Sequence, residues 1–186
     1  MHNLCYIQAR GGSKRFPGKN VALWNGIPMV ADAIKKAALS NVFDAIMVTS
    51  DSPSILDIAA RYGAIPIWRT EATASDTATD DDVAREILGW FPFYDIVCKL
   101  YPCVPLLEPE DLTDAVFDLY SGIPGIYSVD ETGKDAGAYY VFRMKDYRKY
   151  NTLALDKFPW EKKVLEVCQD INTFEDYMLA KEKGKR

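Results

Sequence analysis

Three short, largely apolar runs most constrain how this chain can fold: Leu4 to Ala9, Ala45 to Ser50 and Asp95 to Leu100. Each is too short for a surface helix and too continuously apolar for a half-exposed strand. They read as strands buried on both faces. The spacing between the first two predicts a helix opened by Pro28 and carried by Met29, Ala33, Ile34, Ala37 and Ala38, with Lys35 and Lys36 outward. A second helix is expected from Pro53 to Tyr62, closed by Gly63, and a third strand from Ile65 to Trp68, with Pro66 at an edge position. Strand, helix, strand, helix, strand is the α/β order, with right-handed crossovers and a mainly parallel sheet flanked by helices. At 186 residues and 48% hydrophobic content, one domain over 1–186 is expected.

The second half is read in the same way. Arg69 to Asp82 is polar and aperiodic, so a loop is expected, with Thr79 or Asp80 capping a helix that runs through Trp90. Pro109 starts a helix ending near Tyr120. Ile126 to Val129 and Ala138 to Phe142 read as strands joined by Asp130 to Gly137, Phe158-Pro159-Trp160 as loop, and Val164 to Cys168 as the last strand. Thr173 and Asp176 form a capping pair for a C-terminal helix, and Lys181, Lys183, Lys185 and Arg186 complement its dipole.

Directly after the first strand comes Arg10-Gly11-Gly12-Ser13-Lys14-Arg15-Phe16-Pro17-Gly18-Lys19-Asn20. Its glycines allow close backbone approach, and Arg10, Lys14, Arg15 and Lys19 concentrate positive charge, which suits a phosphate-holding loop. It is not a Walker A motif: five residues separate Gly12 from Gly18, and Asn20 follows Lys19 where a hydroxyl residue is needed. The glycine offsets do not make a dinucleotide fingerprint either. On its own, an exposed basic turn explains it as well. Its setting favours the ligand reading, because Ser50-Asp51, Arg69, Tyr101 and Asp170 also follow predicted strands, and ligands of open α/β sheets bind beyond the carboxyl ends.

Charge and composition exclude several classes. A balance of 22 basic against 27 acidic residues argues against coating nucleic acid. The single histidine, His2, leaves no interior imidazole for a triad or a multi-histidine metal site, so any metal is a hard, oxygen-liganded ion. Cys5, Cys98, Cys103 and Cys168 form no Cys-x-x-Cys pair and read as free thiols in a reducing cytoplasm. There is no eighteen-residue apolar run and no signal-peptide pattern, so no membrane partner is expected.

The run Ile7 to Asn20 closely resembles the nucleotide-binding signature of the acylneuraminate cytidylyltransferases, the CMP-sialic acid synthetase family. Further matches follow in order: Val48-Thr49-Ser50-Asp51, Arg61-Tyr62-Gly63-Ala64, Ala74-Ser75-Asp76-Thr77-Ala78 and Asp170 to Asp176. Tyr101-Pro102-Cys103-Val104-Pro105 and Asp135-Ala136-Gly137-Ala138-Tyr139-Tyr140 look most like the CMP-pseudaminic acid synthetase branch. The resemblance implies a Rossmann-like nucleotide-diphospho-sugar transferase fold. It also implies transfer of CMP from CTP to an acidic nine-carbon sugar, releasing pyrophosphate with magnesium.

By motif position, Arg10, Lys14 and Lys19 would hold the triphosphate, with Gly11, Gly12 and Ser13 in the same loop. Asn20, Arg69 and Ala78 would lie by the cytidine and Asp80 beside them. Tyr101, Asp135 and Tyr140 would face the sugar. Asp170 would bind magnesium, with Asn172 next to it. The residues alone leave alternatives: Asp170 and Asn172 could simply precede a helix cap, and Tyr101 and Tyr140 could be core aromatics. This chain also departs from the family. Asn172 stands where a second carboxylate is usual, Asp80 where a small hydroxyl residue is usual, and Tyr101 where sialic acid enzymes carry glutamine. Between Tyr120 and Asp135 the chain is much shorter than the family's dimerising arm, which implies a monomer or weak homodimer. A same-fold protein that binds nucleotides without catalysis, and a nucleotidyltransferase for another acid sugar, are the alternative functions.

Overall fold

The computed structural model describes residues 1–75 and 77–184. Asp76 of the fourth matched motif, and Lys185 and Arg186 of the basic tail, lie outside the described residues. In chain order the elements are β1 (Asn3–Gln8), a small hairpin β2 (Leu23–Trp24) and β3 (Ile27–Pro28), α1 (Met29–Leu39), β4 (Ala45–Ser50), α2 (Pro53–Arg61) and β5 (Ile65–Trp68). There follow α3 (Glu71–Ala74), α4 (Asp80–Trp90), β6 (Ile96–Leu100), α5 (Pro109–Tyr120), β7 (Gly125–Val129), β8 (Asp135–Arg143), α6 (Met144–Tyr150), β9 (Trp160–Val164) and α7 (Phe174–Lys183).

The large sheet has seven strands in the order β5-β4-β1-β6-β8-β7-β9. β5, β4, β1 and β6 run parallel, β8 is antiparallel to both β6 and β7, and β7 pairs with β9 in parallel. β1 is therefore an interior strand, flanked by β4 and β6. Its unbroken apolar run follows from burial on both faces: Cys5 and Ile7 pack with Val30, Ile34, Ile55 and Val116 of α1, α2 and α5. Leu4 and Tyr6 pack with Val83, Ala84 and Ile87 of α4 and with Tyr147 of α6. A buried Leu, Ile or Val among these contributes about 1.5–3 kcal/mol on leaving water.

The structure corrects three expectations. Residues 69–82 are not one loop, because Glu71–Ala74 coils into a short helix before α4. Thr79 does cap α4, with Asp82 completing a capping box. The connection 130–137 is shorter than read, since β8 already begins at Asp135 and the turn closes when Asp130 N donates to Lys134 O at 2.8 Å.

The last strand is Trp160–Val164 and not Val164–Cys168. Apolar content misled here because β9 is an edge strand, where charged side chains are normal and block further pairing. Glu161 and Lys162 are exposed, while Lys163 reaches Asp118 at 2.8 Å. Beyond β9, Leu165 turns into the core and Val167 into solvent, and an irregular segment leads to Asp170. Among the described residues no helix is long and apolar enough to cross a membrane.

Candidate active site

The carboxyl ends of β1, β4 and β6 open onto a cleft of about 450 Å³, within the size range of small-molecule sites. One wall is the basic loop. It is stitched to three neighbours in place of a helix or strand of its own. At the β4 end, Gly11 N donates to Asp51 Oδ1 at 2.7 Å, and a Cβ on Gly11 would lie 2.9 Å from Ser52 Cβ, so only glycine approaches this closely.

Inside the loop, Asn20 Nδ2 donates to Arg10 O at 2.7 Å, while Cys103 Sγ donates to Asn20 Oδ1 at 3.1 Å. Asn20 is buried, and both ends of its amide serve the protein. Across the cleft, Lys19 Nζ donates to Ile171 O at 2.9 Å and Arg15 to Asn172 Oδ1 at 2.9 Å. Arg10, Gly12, Ser13, Lys14 and Lys19 all line the cleft.

At the opposite end lies Arg69, directly after β5 and only 3% exposed. Its terminal nitrogen donates to Thr49 O at 3.3 Å, and its Nε is buried without a partner. A buried guanidinium holding an unused donor is costly unless a ligand accepts from it. Burial lowers the Arg69 pKa, opposed by Asp51 and Glu86. Ala78 lines the wall beside it, with Thr73 of the short helix that sequence reasoning took for loop and Ser75 just after that helix.

Asp170 and Asn172 line the rim next to Lys19. Asn172 Nδ2 donates to Asp170 Oδ2, so with Arg15 on its carbonyl oxygen this amide is satisfied at both ends. Burial raises the Asp170 pKa, against the lowering influence of Lys19 and Asn172. Gly137, at φ +60°, brings the β8 backbone so near that a Cβ there would stand 3.3 Å from Asp170 Oδ2. Burial pushes the Cys103 thiol at the cleft up to about 12, which keeps it protonated near neutral pH.

Tyr101 and Tyr140 form the remaining wall, and Asp135 lies behind Tyr140, whose hydroxyl donates to it. Asp80 is at the start of α4. Its charge is not left facing the cleft, because Lys99 Nζ lies 2.8 Å from Oδ2, Tyr101 also donates to Oδ2, and Gln8 Nε2 donates to Oδ1 at 3.1 Å. Burial pushes the Asp80 carboxyl up, but Lys99, Tyr101 and Gln8 together outweigh it and hold the group below its ordinary range. Sequence reasoning missed Lys99 and Gln8. A lysine inside the apolar run Asp95 to Leu100 was the available signal, since a buried lysine requires a partner.

A family model described as cytidylyltransferase matches residues 4–149. The chain belongs to the cytidylyltransferase family. Among curated cytidylyltransferases it is 40% identical over 120 residues to the pseudaminic acid cytidylyltransferase of Campylobacter jejuni, covering 62% of this chain and 52% of that protein. It is 40% identical over 121 residues to the CMP-N,N′-diacetyllegionaminic acid synthase of Legionella pneumophila, again covering 62% and 52%. The chain thus spans about half the length of these curated relatives.

Solved structures share this chain's fold at low identity. CMP:2-keto-3-deoxy-manno-octonic acid synthetase, complexed with CTP, superposes with a TM-score of 0.77 at 14% identity over 98% of this chain and 100% of that one. A Mycobacterium tuberculosis H37Rv protein complexed with manganese gives 0.71 at 15% identity over 98% and 99%.

Proposed function

We propose that this cytidylyltransferase-family chain transfers CMP from CTP to a sialic-acid-like nonulosonic acid such as pseudaminic acid, releasing pyrophosphate. The observation that carries the reading is the meeting of the basic glycine loop with the Asp170 segment across one cleft, through Lys19 to Ile171 O and Arg15 to Asn172. The relatives named for pseudaminic and legionaminic acids support the same class of sugar.

In this reading the cations of the loop, Arg10, Lys14 and Lys19, hold the triphosphate, and the amides around Gly11 to Ser13 add donors. Arg69 and Ala78 flank the cytidine, with Arg69 Nε free to donate to it. Asn20 acts chiefly by holding the loop closed. The sugar lies against Tyr101 and Tyr140, with Asp135 behind. Its anomeric hydroxyl oxygen forms the new bond to the α-phosphorus, the bond from that phosphorus to the bridging oxygen breaks so that this oxygen leaves with pyrophosphate, and the hydroxyl proton passes to solvent water. Negative charge grows on the leaving pyrophosphate, beside Lys14 and Lys19.

Asp170 fits a divalent ion shared with the substrate. Magnesium takes one or two carboxylates, substrate phosphates and waters, and no group of three or more His, Cys, Asp or Glu among the described residues could hold a metal alone. When bound, such an ion neutralises charge on the phosphates. Asn172 supports a second reading, a nucleotide-binding protein without catalysis, since its carbonyl oxygen is already taken by Arg15. The compact turn between β7 and β8 is in keeping with a monomer or weak homodimer.

Protein incubated with CTP, magnesium and a panel of nonulosonic acids should release pyrophosphate with at least one of them. Release with none, together with calorimetric CTP binding, selects the second reading. Release only with a different acid sugar or nucleotide identifies another nucleotidyltransferase.

A further inference from the structure

Lys99 is a charged side chain in the middle of a hydrophobic sheet. Its neighbours on β6, Cys98 and Leu100, face α1 and α5, and Lys99 points to the opposite layer, where it is 2% exposed. Its ammonium lies 2.8 Å from Asp80 Oδ2, 4.8 Å from the centre of the Tyr101 ring and 4.5 Å from that of Tyr140. Tyr140 is its register partner on β8. Both rings thus turn their electron-rich faces to one buried cation. Each phenol also spends its only proton on a carboxylate, Tyr101 on Asp80 and Tyr140 on Asp135. A phenol that has donated its proton offers only an acceptor lone pair to anything else.

We propose that Lys99 is a positioning residue for the sugar half of the cleft. Held by Asp80 and lying under Tyr101 and Tyr140, it fixes both phenols as hydrogen-bond acceptors that select hydroxyl or amide N–H groups of the acid sugar. A carboxylate, which can only accept, is refused at this wall. The acid end of the sugar is therefore directed to the cations of the basic loop, and its hydroxyl and amide end to the tyrosine pair. The same arrangement explains how Asp80 coexists with a polyanion: three donors, from Lys99, Tyr101 and Gln8, saturate it. This assignment rests on the proposed transfer to an acid sugar.

The test compares wild type with Lys99→Met and with Lys99→Met/Asp80→Ser. The single variant strands Asp80 without its cation, and the double variant removes both charges together, so a folding failure of the first does not stop the experiment. Initial rates of pyrophosphate release are measured with magnesium, varying pseudaminic acid at saturating CTP and then CTP at saturating sugar. Losing the fixed orientation of two phenols is expected to raise the sugar's KM in the double variant about tenfold or more, as for one or two hydrogen bonds. That rise should exceed any change in the KM of CTP by the same factor. A sugar KM equal to wild type overturns the proposal, and so does an equal rise in both constants. If wild type turns over no acid sugar, the reading of the function has failed. Crystal structures of the wild type and the double variant then decide the positioning claim: phenols that rotate or separate uphold it, and unchanged phenols overturn it.

Discussion

At the scale of single residues, Arg69 makes the sharpest demand. It is buried at the cleft with an unused Nε donor, and a hydrogen bond from a charged group contributes roughly 1.5–3 kcal/mol. Arg69→Met should therefore weaken CTP binding by about tenfold or more in calorimetry; an affinity within twofold of wild type would remove Arg69 from the nucleotide site. The thiols give a second expectation, set by pH. Burial raises Cys103 to about 12 and Cys168 to about 11, and Cys5 and Cys98 are buried. A raised pKa keeps a thiol protonated until the pH approaches that value. Cys103 and Cys168, held protonated, and Cys5 and Cys98, shielded by burial, should react slowly with a thiol reagent at pH 8 in native protein and rapidly in guanidinium, and fast reaction of Cys5, Cys98 or Cys103 in the folded protein would contradict the described packing. The placement at the cleft of residues carried by a contiguous motif, such as Arg10 and Lys19, could be read from sequence. Lys99 signals only that a partner exists and Gln8 signals nothing, because that partner, Asp80, is distant along the chain and reaches them only through the packing of α4 on the sheet.

At the scale of elements, the end of the chain is held by a cap. Thr173 starts α7, and Asp176 Oδ2 accepts from Asn172 N at 2.9 Å and Thr173 N at 2.8 Å, so the helix also anchors the segment carrying Asp170. Slight burial works against ionisation of Asp176, but these hydrogen bonds outweigh it and hold its pKa below the ordinary range. A depressed carboxylate stabilises the fold above its unfolded pKa of about 4, and that contribution is lost as the pH falls through the folded value. Asp176→Asn should cost about 1 kcal/mol at pH 7, as caps do, with less where solvent screens the charge. The difference from wild type should shrink in denaturation curves below pH 4; a constant difference would mean that the charge is irrelevant. The basic loop makes a second element-level prediction. Gly11→Ala should loosen CTP binding with little loss of thermal stability, because the added Cβ meets Ser52 at 2.9 Å in a loop outside the main cores. A large loss of stability with CTP binding intact would show the reverse.

Which elements were legible follows the same physics. β1, β4 and β6 are buried on both faces and announce themselves as apolar runs. β9 lies at an edge and is written in charge, and α3 is a single turn too short to show a period. The β8 start at Asp135 was hidden because a polar strand end looks like a turn.

At the scale of the whole molecule, the sheet delivers the basic loop, Arg69 and the tyrosine pair to one end, while α7 and the segment before it return Asp170 to close the cleft. In the proposed function this cleft seats a triphosphate together with a divalent ion on Asp170. The most direct test is CTP affinity, with and without magnesium, for wild type and Asp170→Asn. Magnesium should tighten CTP binding to wild type by about tenfold or more and leave the variant nearly unaffected, a coupling of about 1.4 kcal/mol. Equal tightening in both proteins would contradict the account.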